Sequence, residues 1–281
     1  MTTMTDWQSR LGEVWADEWR RTDRSFAGLS RHLDAAIAAA APASGRAVDL
    51  GCGAGETSLA LATARPDLRI TGVDLSPALV AIARERAATA GVTNVAFVAG
   101  AVPEALAAEA LFDLAFSRHG VMFFDDPTAA FRGIAAALAP GAPIVFSCFR
   151  AAADNEWLGE ITAAIGITPD APPGYAPGPF GFADRGFVGD MLAAAGFARI
   201  DIKPVDFTYR AGAGVDPAAD ATAFFRRIGP VSRALATLPP DAREERTATL
   251  RERLAGRVRN GTVDFSAAAW LVSAQKQERP A

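Results

Sequence analysis

One stretch limits what this chain can fold into more than any other: Arg46-Ala47-Val48-Asp49-Leu50-Gly51-Cys52-Gly53-Ala54-Gly55-Glu56-Thr57. Val48 and Leu50 sit in a short apolar run that reads as a buried parallel strand, three glycines follow at alternate positions, and Thr57 to Ala62 restarts as a helix. A strand, a glycine loop and a helix in that order let backbone approach a ligand where a Cβ would collide, and they aim the free N–H groups of the helix start at it. The next acid at a strand end is Asp74, about 20 residues on, the usual distance to a carboxylate that takes ribose hydroxyls. Together these residues predict a nucleoside site in a parallel α/β fold.

Spacing decides which nucleoside. A dinucleotide loop, G-x-G-x-x-G, would need its third glycine where this chain has Glu56. Here the pattern is D-x-G-x-G-x-G, with Asp49 still on the strand. Two acids around a tight loop repel a pyrophosphate and favour a ligand carrying an ammonium group. This stretch resembles motif I of the class I S-adenosylmethionine-dependent methyltransferases. The resemblance implies that Gly51, Cys52, Gly53 and Gly55 line the methionine moiety and that Asp49 lies near its amino group. It also implies Asp74 on the ribose and Leu75 against the adenine, S-adenosylhomocysteine as product, and no metal. The third family motif reads Gly-Asp-Ala, whereas this chain has Gly100-Ala101-Val102, leaving the adenine to backbone near Ala101 and Val102 and to apolar packing. The fourth, Phe112 to Pro127, is similar to the small-molecule branch, including the ubiquinone/menaquinone-biosynthesis methyltransferases. It puts Ser117 and Arg118 at the carboxyl edge of the sheet. His119 follows them, either as a general base on the acceptor or as a pocket-lining side chain.

From 46 to 149 apolar runs alternate as β-α-β-α-β-α-β-α-β. Ala198 to Arg210 and Val263 to Ala274 add two strands. The expected fold is α/β: a Rossmann-like, mostly parallel seven-stranded sheet with helices on both faces, the last strand antiparallel, and helical cap insertions. The chain then divides into an N-terminal helical lid (1–45), a cofactor-binding core (46–149) and a remainder (150–281) carrying substrate-cap insertions at about 150–182 and 214–259. Trp7, Leu11, Trp15 and Trp19 recur at four-residue steps, with Thr22-Asp23 as the expected cap of a second helix. In relatives an N-terminal helix closes over the cofactor, which makes Trp15 (or Trp7) a candidate contact. Trp157, Tyr175, Phe180, Phe182, Phe224 and Phe225 either wall an apolar or aromatic acceptor pocket or pack the cap.

Half of the residues are apolar, enough for a large core, and the net charge of −4 with no basic stripe disfavours nucleic acid. Two cysteines, Cys52 and Cys148, make neither a disulfide framework nor a metal site, and His119 has no ligand-spaced partners. An acidic N-terminus without a signal-peptide pattern, and no run long enough to cross a membrane, make a cytoplasmic protein the expectation. The Arg-rich stretch 243–259, interleaved with Glu, reads as a solvated face, and His32 as structural. Methyl transfer to a small molecule is the leading expectation. The rivals are an NAD(P)-dependent oxidoreductase, which Glu56 opposes, and a non-catalytic binding protein on the same fold.

Overall fold

A computed structural model of the chain describes residues 8–106, 111–168 and 174–278, so Trp7 and part of the 169–181 loop lie outside the described residues. The alternation over 46–149 becomes β1 (Gly45–Leu50), β2 (Leu68–Asp74), β3 (Val95–Ala99), β4 (Leu114–Arg118) and β5 (Pro143–Phe149), all parallel. With β6 (Phe197–Ala213) and β7 (Thr262–Lys276) the sheet runs β3-β2-β1-β4-β5-β7-β6, and β7 is antiparallel to both its neighbours. The helices are α1 (Arg10–Asp17), α2 (Trp19–Ala40), α3 (Glu56–Ala64), α4 (Pro77–Ala90), α5 (Pro127–Ala137), α6 (Glu156–Ala164), α7 (Arg185–Ala194), α8 (Pro217–Arg227), α9 (Gly229–Ala236) and α10 (Pro240–Ala255).

Period-two burial explains the two cores. Ala47, Leu114, Phe116 and Val145 pack against Leu33 and Ile37 of α2 and Leu61 of α3. Their strand neighbours Val48, Ala115, Ile144 and Phe146 face the other way, onto Phe131 and Ile134 of α5 and Met191 and Leu192 of α7. The strand order reverses between β1's two neighbours, β2 and β4, which opens a crevice at the carboxyl ends of these strands.

Two departures from the sequence reading bear on that crevice. The helix break falls at Glu18, not at Thr22-Asp23. Thr22 N–H donates to the Glu18 carbonyl at 2.9 Å inside a continuous helix, and Asp23 pairs with Arg86 and Arg118 instead of capping. Consequently most of α2 belongs to the helical layer on the sheet, with Leu29 and Leu33 fully buried, while α1 and the first turns of α2 lie over the glycine loop, where Ala16 and Trp19 meet Ala54 and Leu79. The second departure is an overhang. β5 ends its pairing at Phe149 opposite Ala269, but β6 and β7 stay paired to Ala213 opposite Thr262. This twisted ribbon projects past the carboxyl edge, and α8, α9 and α10 form the connection between its strands. Trp157, Phe182, Phe224 and Phe225 are buried in the packing of that region.

Candidate functional site

The three glycines have different physical duties. All have positive φ, at 67°, 53° and 82° for Gly51, Gly53 and Gly55, where an L side chain is strained. A Cβ on Gly51 would lie 2.9 Å from Gly120 Cα, so that glycine allows two backbones to cross. A Cβ on Gly55 would lie 2.8 Å from Phe97 and 3.0 Å from Ala83, a packing role. A Cβ on Gly53 would meet nothing within 4 Å: it would enter open space.

That space is a pair of adjoining clefts sharing Gly51, Gly53, Leu79 and Arg118. The larger, about 210 Å³, is lined by Asp74, Leu75, Ala101, Val102, His119 and Gly120, with Phe123, Phe124 and Asp125 at one side. The smaller, about 90 Å³, lies between Trp15, Trp19, Thr22 and Phe26 of the N-terminal helices and Asp49, Cys52 and Thr57. Of the residues singled out from sequence, these clefts bring together Trp15, Asp49, Gly51, Cys52, Gly53, Asp74, Leu75, Ala101, Val102, Arg118 and His119. Gly55 and Ser117 line neither. Ser117 Oγ donates to the Leu50 carbonyl at 2.6 Å and accepts from Gly120 N–H at 3.1 Å, a buried latch between β1 and β4. Of two wider grooves elsewhere, one is lined by Asp154 and Asp206, both paired with Arg150, and the other by Arg257 and Glu160, paired with each other. His32 lines the first of these, exposed on α2.

The two acids are set differently. Asp74 Oδ2 accepts from Gly53 N–H and Oδ1 from Ser76 N–H, each at 2.8 Å, which fixes the carboxylate at the mouth of the loop. Burial raises its pKa, and those two donors oppose the shift. Asp49 is 1 % exposed. Its Oδ2 accepts from Ser58 Oγ at 2.6 Å, whereas Oδ1 finds no partner among the described residues. Burial pushes this carboxyl up to about 7, against the pull of Ser58 and Arg118. A buried carboxylate oxygen without a donor costs about 1–3 kcal/mol or more, and a ligand ammonium would remove that cost.

Arg118 lines both clefts. It pairs with Asp23 at 2.7 Å and with Glu56, and Arg86 reaches Asp23 at 2.9 Å. The acid at the helix start is thus held by a cation from β4, and the same cation ties α2 to the glycine loop.

His119 has φ 58°, an unusual conformation for a side chain, and is buried. Its ring lies 4.4 Å from Phe149 and 4.8 Å from Phe26, centroid to centroid. Nδ1 is 2.9 Å from Ser147 Oγ, and Nε2 has no partner among the described residues. Burial, then Arg118, lowers its pKa to about 3, so the imidazole is neutral across the physiological range. Cys52 and Cys148 are buried free thiols whose pKa values burial raises, which leaves them poor nucleophiles. No cluster of metal-ligating side chains occurs among the described residues. Sequence reasoning did not single out Phe26, Thr22, Ser58 or Gly120 for the site. Only Gly120, after His119, carried a visible signal: a Cβ there would lie 2.5 Å from the Leu50 carbonyl.

A parallel sheet with a D-x-G-x-G-x-G loop at its reversal point, a carboxylate at the end of the next strand and an antiparallel penultimate position for β7 make up a Rossmann-like fold of the methyltransferase class. Comparison bears out the class: residues 47–141 match the family model described as a methyltransferase domain. The ubiquinone biosynthesis O-methyltransferase of Xanthomonas axonopodis pv. citri is 35% identical over 107 residues, 38% of this chain and 44% of that protein. The chain spans less than half the length of the curated relatives it matches. Among solved structures, phosphoethanolamine N-methyltransferase 2 of Haemonchus contortus in complex with S-adenosyl-L-methionine has a TM-score of 0.55 at 18% identity, covering 99% of this chain and 61% of that one. The cyclase SpnF has a TM-score of 0.57, also at 18% identity, covering 95% and 96%. At these identities the structural likeness is one of fold.

Proposed function

We propose that this protein is an S-adenosylmethionine-dependent methyltransferase acting on a small molecule. The observation that carries the reading is the buried Asp49 carboxylate, whose Oδ1 has no partner among the described residues, in the lining of the smaller cleft beside the open side of Gly53. A pyrophosphate would be repelled by that carboxylate, and an amino-acid ammonium would satisfy it. When bound, the cofactor supplies a methyl group made electrophilic by its sulfonium sulfur.

The chain's own residues then have separable tasks. Asp49 accepts from the ammonium, and Asp74, held by Gly53 and Ser76, accepts from the ribose hydroxyls. Leu75, Ala101 and Val102 offer the adenine an apolar wall without the family's usual acid. Trp15 and Trp19 cover the amino-acid end and exclude water. His119 presents a neutral imidazole to the acceptor: Nδ1 is engaged by Ser147, and Nε2, with no partner among the described residues, is left to hydrogen-bond and orient it.

A second reading is a binding or cyclising protein without methyl transfer, favoured by the fold shared with the cyclase SpnF and by Ala101 in place of the acid. Calorimetry with S-adenosylhomocysteine and with NAD tests the proposal. Binding of S-adenosylhomocysteine and not NAD is the expected result, and binding of NAD alone overturns it. Release of S-adenosylhomocysteine from S-adenosylmethionine, dependent on added acceptor, separates transferase from binder.

A further inference from the structure

We propose that Thr22 of α2 takes the carboxylate of the cofactor's amino-acid end, its hydroxyl donating there while Asp49 accepts from the ammonium. The inference rests on the methyltransferase reading and adds to it a specificity-determining residue outside the glycine-loop motif.

A helix interior gives threonine an easy partner, because its Oγ1 reaches the carbonyl one turn back. Thr63, Thr162, Thr222, Thr247 and Thr249 all take it, each donating to the carbonyl four residues earlier at between 2.6 and 3.1 Å. Thr22 has the same kind of backbone, with its N–H bonded to the Glu18 carbonyl at 2.9 Å. Its Oγ1 makes no such bond, and this solvent-shielded atom has no partner among the described residues. A stranded polar atom is rare, because water has been stripped away and nothing replaces it. Trp19, Thr22 and Phe26 follow one another three and four residues apart, on one face of α2, and all three line the smaller cleft. That face is pinned: Trp19 has Arg20 at 4.4 Å and Arg86 at 4.1 Å over its ring, and Arg86 also donates to the Ala54 carbonyl of the glycine loop at 2.8 Å.

The glycine loop has few donors to spare. Gly51 and Cys52 N–H groups go to the Val73 carbonyl, Gly53 N–H to Asp74 Oδ2 and Gly55 N–H to the Cys52 carbonyl. Arg118 lines the cleft, but Asp23 and Glu56 already share its guanidinium, and Arg86 holds the other oxygen of Asp23. With those pairs set, Asp49 Oδ1 and Thr22 Oγ1 are the buried oxygens of the lining that have no partner among the described residues. An ionised carboxylate only accepts, whereas a hydroxyl can donate. An ammonium suits the first and a carboxylate the second. An α-amino acid carries both on one carbon, so α2 reads the end that the loop leaves without a donor.

Calorimetry on the whole chain compares S-adenosylhomocysteine with its descarboxy analogue, S-(3-aminopropyl)-5′-thioadenosine, which keeps the amine. Wild type should bind the analogue at least about ten-fold more weakly. Thr22→Val keeps the shape and removes the hydroxyl. It should lose about 5- to 10-fold in S-adenosylhomocysteine affinity and little for the analogue, so the ratio of the two affinities falls by the same factor. Its Tm should be unchanged or higher, because a stranded hydroxyl has gone. Thr22→Ser keeps the hydroxyl and should keep the wild-type ratio. Should the valine variant not fold, Thr22→Ala makes the same comparison. Equal wild-type affinities for the two ligands, an unchanged ratio without the hydroxyl, or the same fall in Thr22→Ser overturns this inference and leaves the methyltransferase reading standing. Failure of the folded wild type to bind S-adenosylhomocysteine overturns both.

Discussion

Gly53 and Gly55 differ by two positions and share a left-handed backbone, yet their alanine variants should fail differently. Gly53→Ala points a methyl into the cleft, with about 1–2 kcal/mol of backbone strain. It should keep most of its Tm and lose S-adenosylhomocysteine binding in calorimetry. Gly55→Ala drives a methyl into Phe97 and Ala83, so its main loss should be several degrees of Tm with whatever folded fraction still binding. Equal behaviour of the two would mean the glycines do not divide the work as their surroundings imply. Asp49→Asn provides a third residue-scale test. It keeps the shape but removes the charge, and S-adenosylhomocysteine affinity should fall about 10- to 100-fold, the loss of a charge-assisted hydrogen bond worth about 1.5–3 kcal/mol. Because burial raises the Asp49 pKa to about 7, wild-type affinity should also climb between pH 5 and 7 as the carboxyl ionises. The variant should lack that part of the climb.

At the scale of elements, the smaller cleft depends on helices that are far apart in sequence. Glu18, buried at the break between α1 and α2, pairs with Arg21 and Arg227, and Asp220 of α8 holds Arg21 and Arg24, both at 2.7 Å. This ionic seam binds the helix that presents Trp19, Asp23 and Phe26 to the overhanging cap. Removing one member of a partly buried cluster strands its partners, at about 3–5 kcal/mol where burial is complete and less here. Asp220→Asn should therefore lower Tm by several degrees and weaken S-adenosylhomocysteine binding a few-fold, although it touches neither cleft. An unchanged dissociation constant would show that the seam is not coupled to the site. The strand alternation was legible because it is local, set by period-two burial, and the helices between the strands start at equally local caps, Ser76 and Asp126. The break at Glu18 was not: Thr22-Asp23 is a good local cap, but Arg86 and Arg118 claim Asp23 from other elements.

For the molecule as a whole, two buried groups oppose each other in acid. Asp49 has a folded pKa raised to about 7, so its contribution to stability is full below about 4, the unfolded value, and lost as pH rises through 7. His119 has a folded pKa lowered to about 3, so its contribution is present above about 6.5 and lost as pH falls toward 3. Between pH 4 and 6.5 the two partly cancel. His119→Asn, which tolerates the left-handed backbone, removes one side of the balance. Its Tm relative to wild type should be higher at pH 5 than at pH 7, measured by calorimetric melting. No such difference would mean that His119 is solvated in solution and carries no buried penalty.

The sequence alone determined the parallel sheet, the glycine loop and its two acids. Each depends on residues near one another in the chain, where spacing fixes geometry: Asp49 and Gly53 share one strand–loop junction, and Asp74 ends the next strand. Only the tertiary structure decided that Gly55 packs while Gly53 opens, that Ser58 leaves one Asp49 oxygen bare, and that Phe26 and Phe149 meet around His119. Such meetings join residues far apart in the chain, Phe26 with His119 and with Tyr209 of the ribbon that outruns its sheet. Burial, hydrogen-bond satisfaction and pKa belong to the company a side chain keeps after the chain has closed, and no spacing rule reports that company in advance.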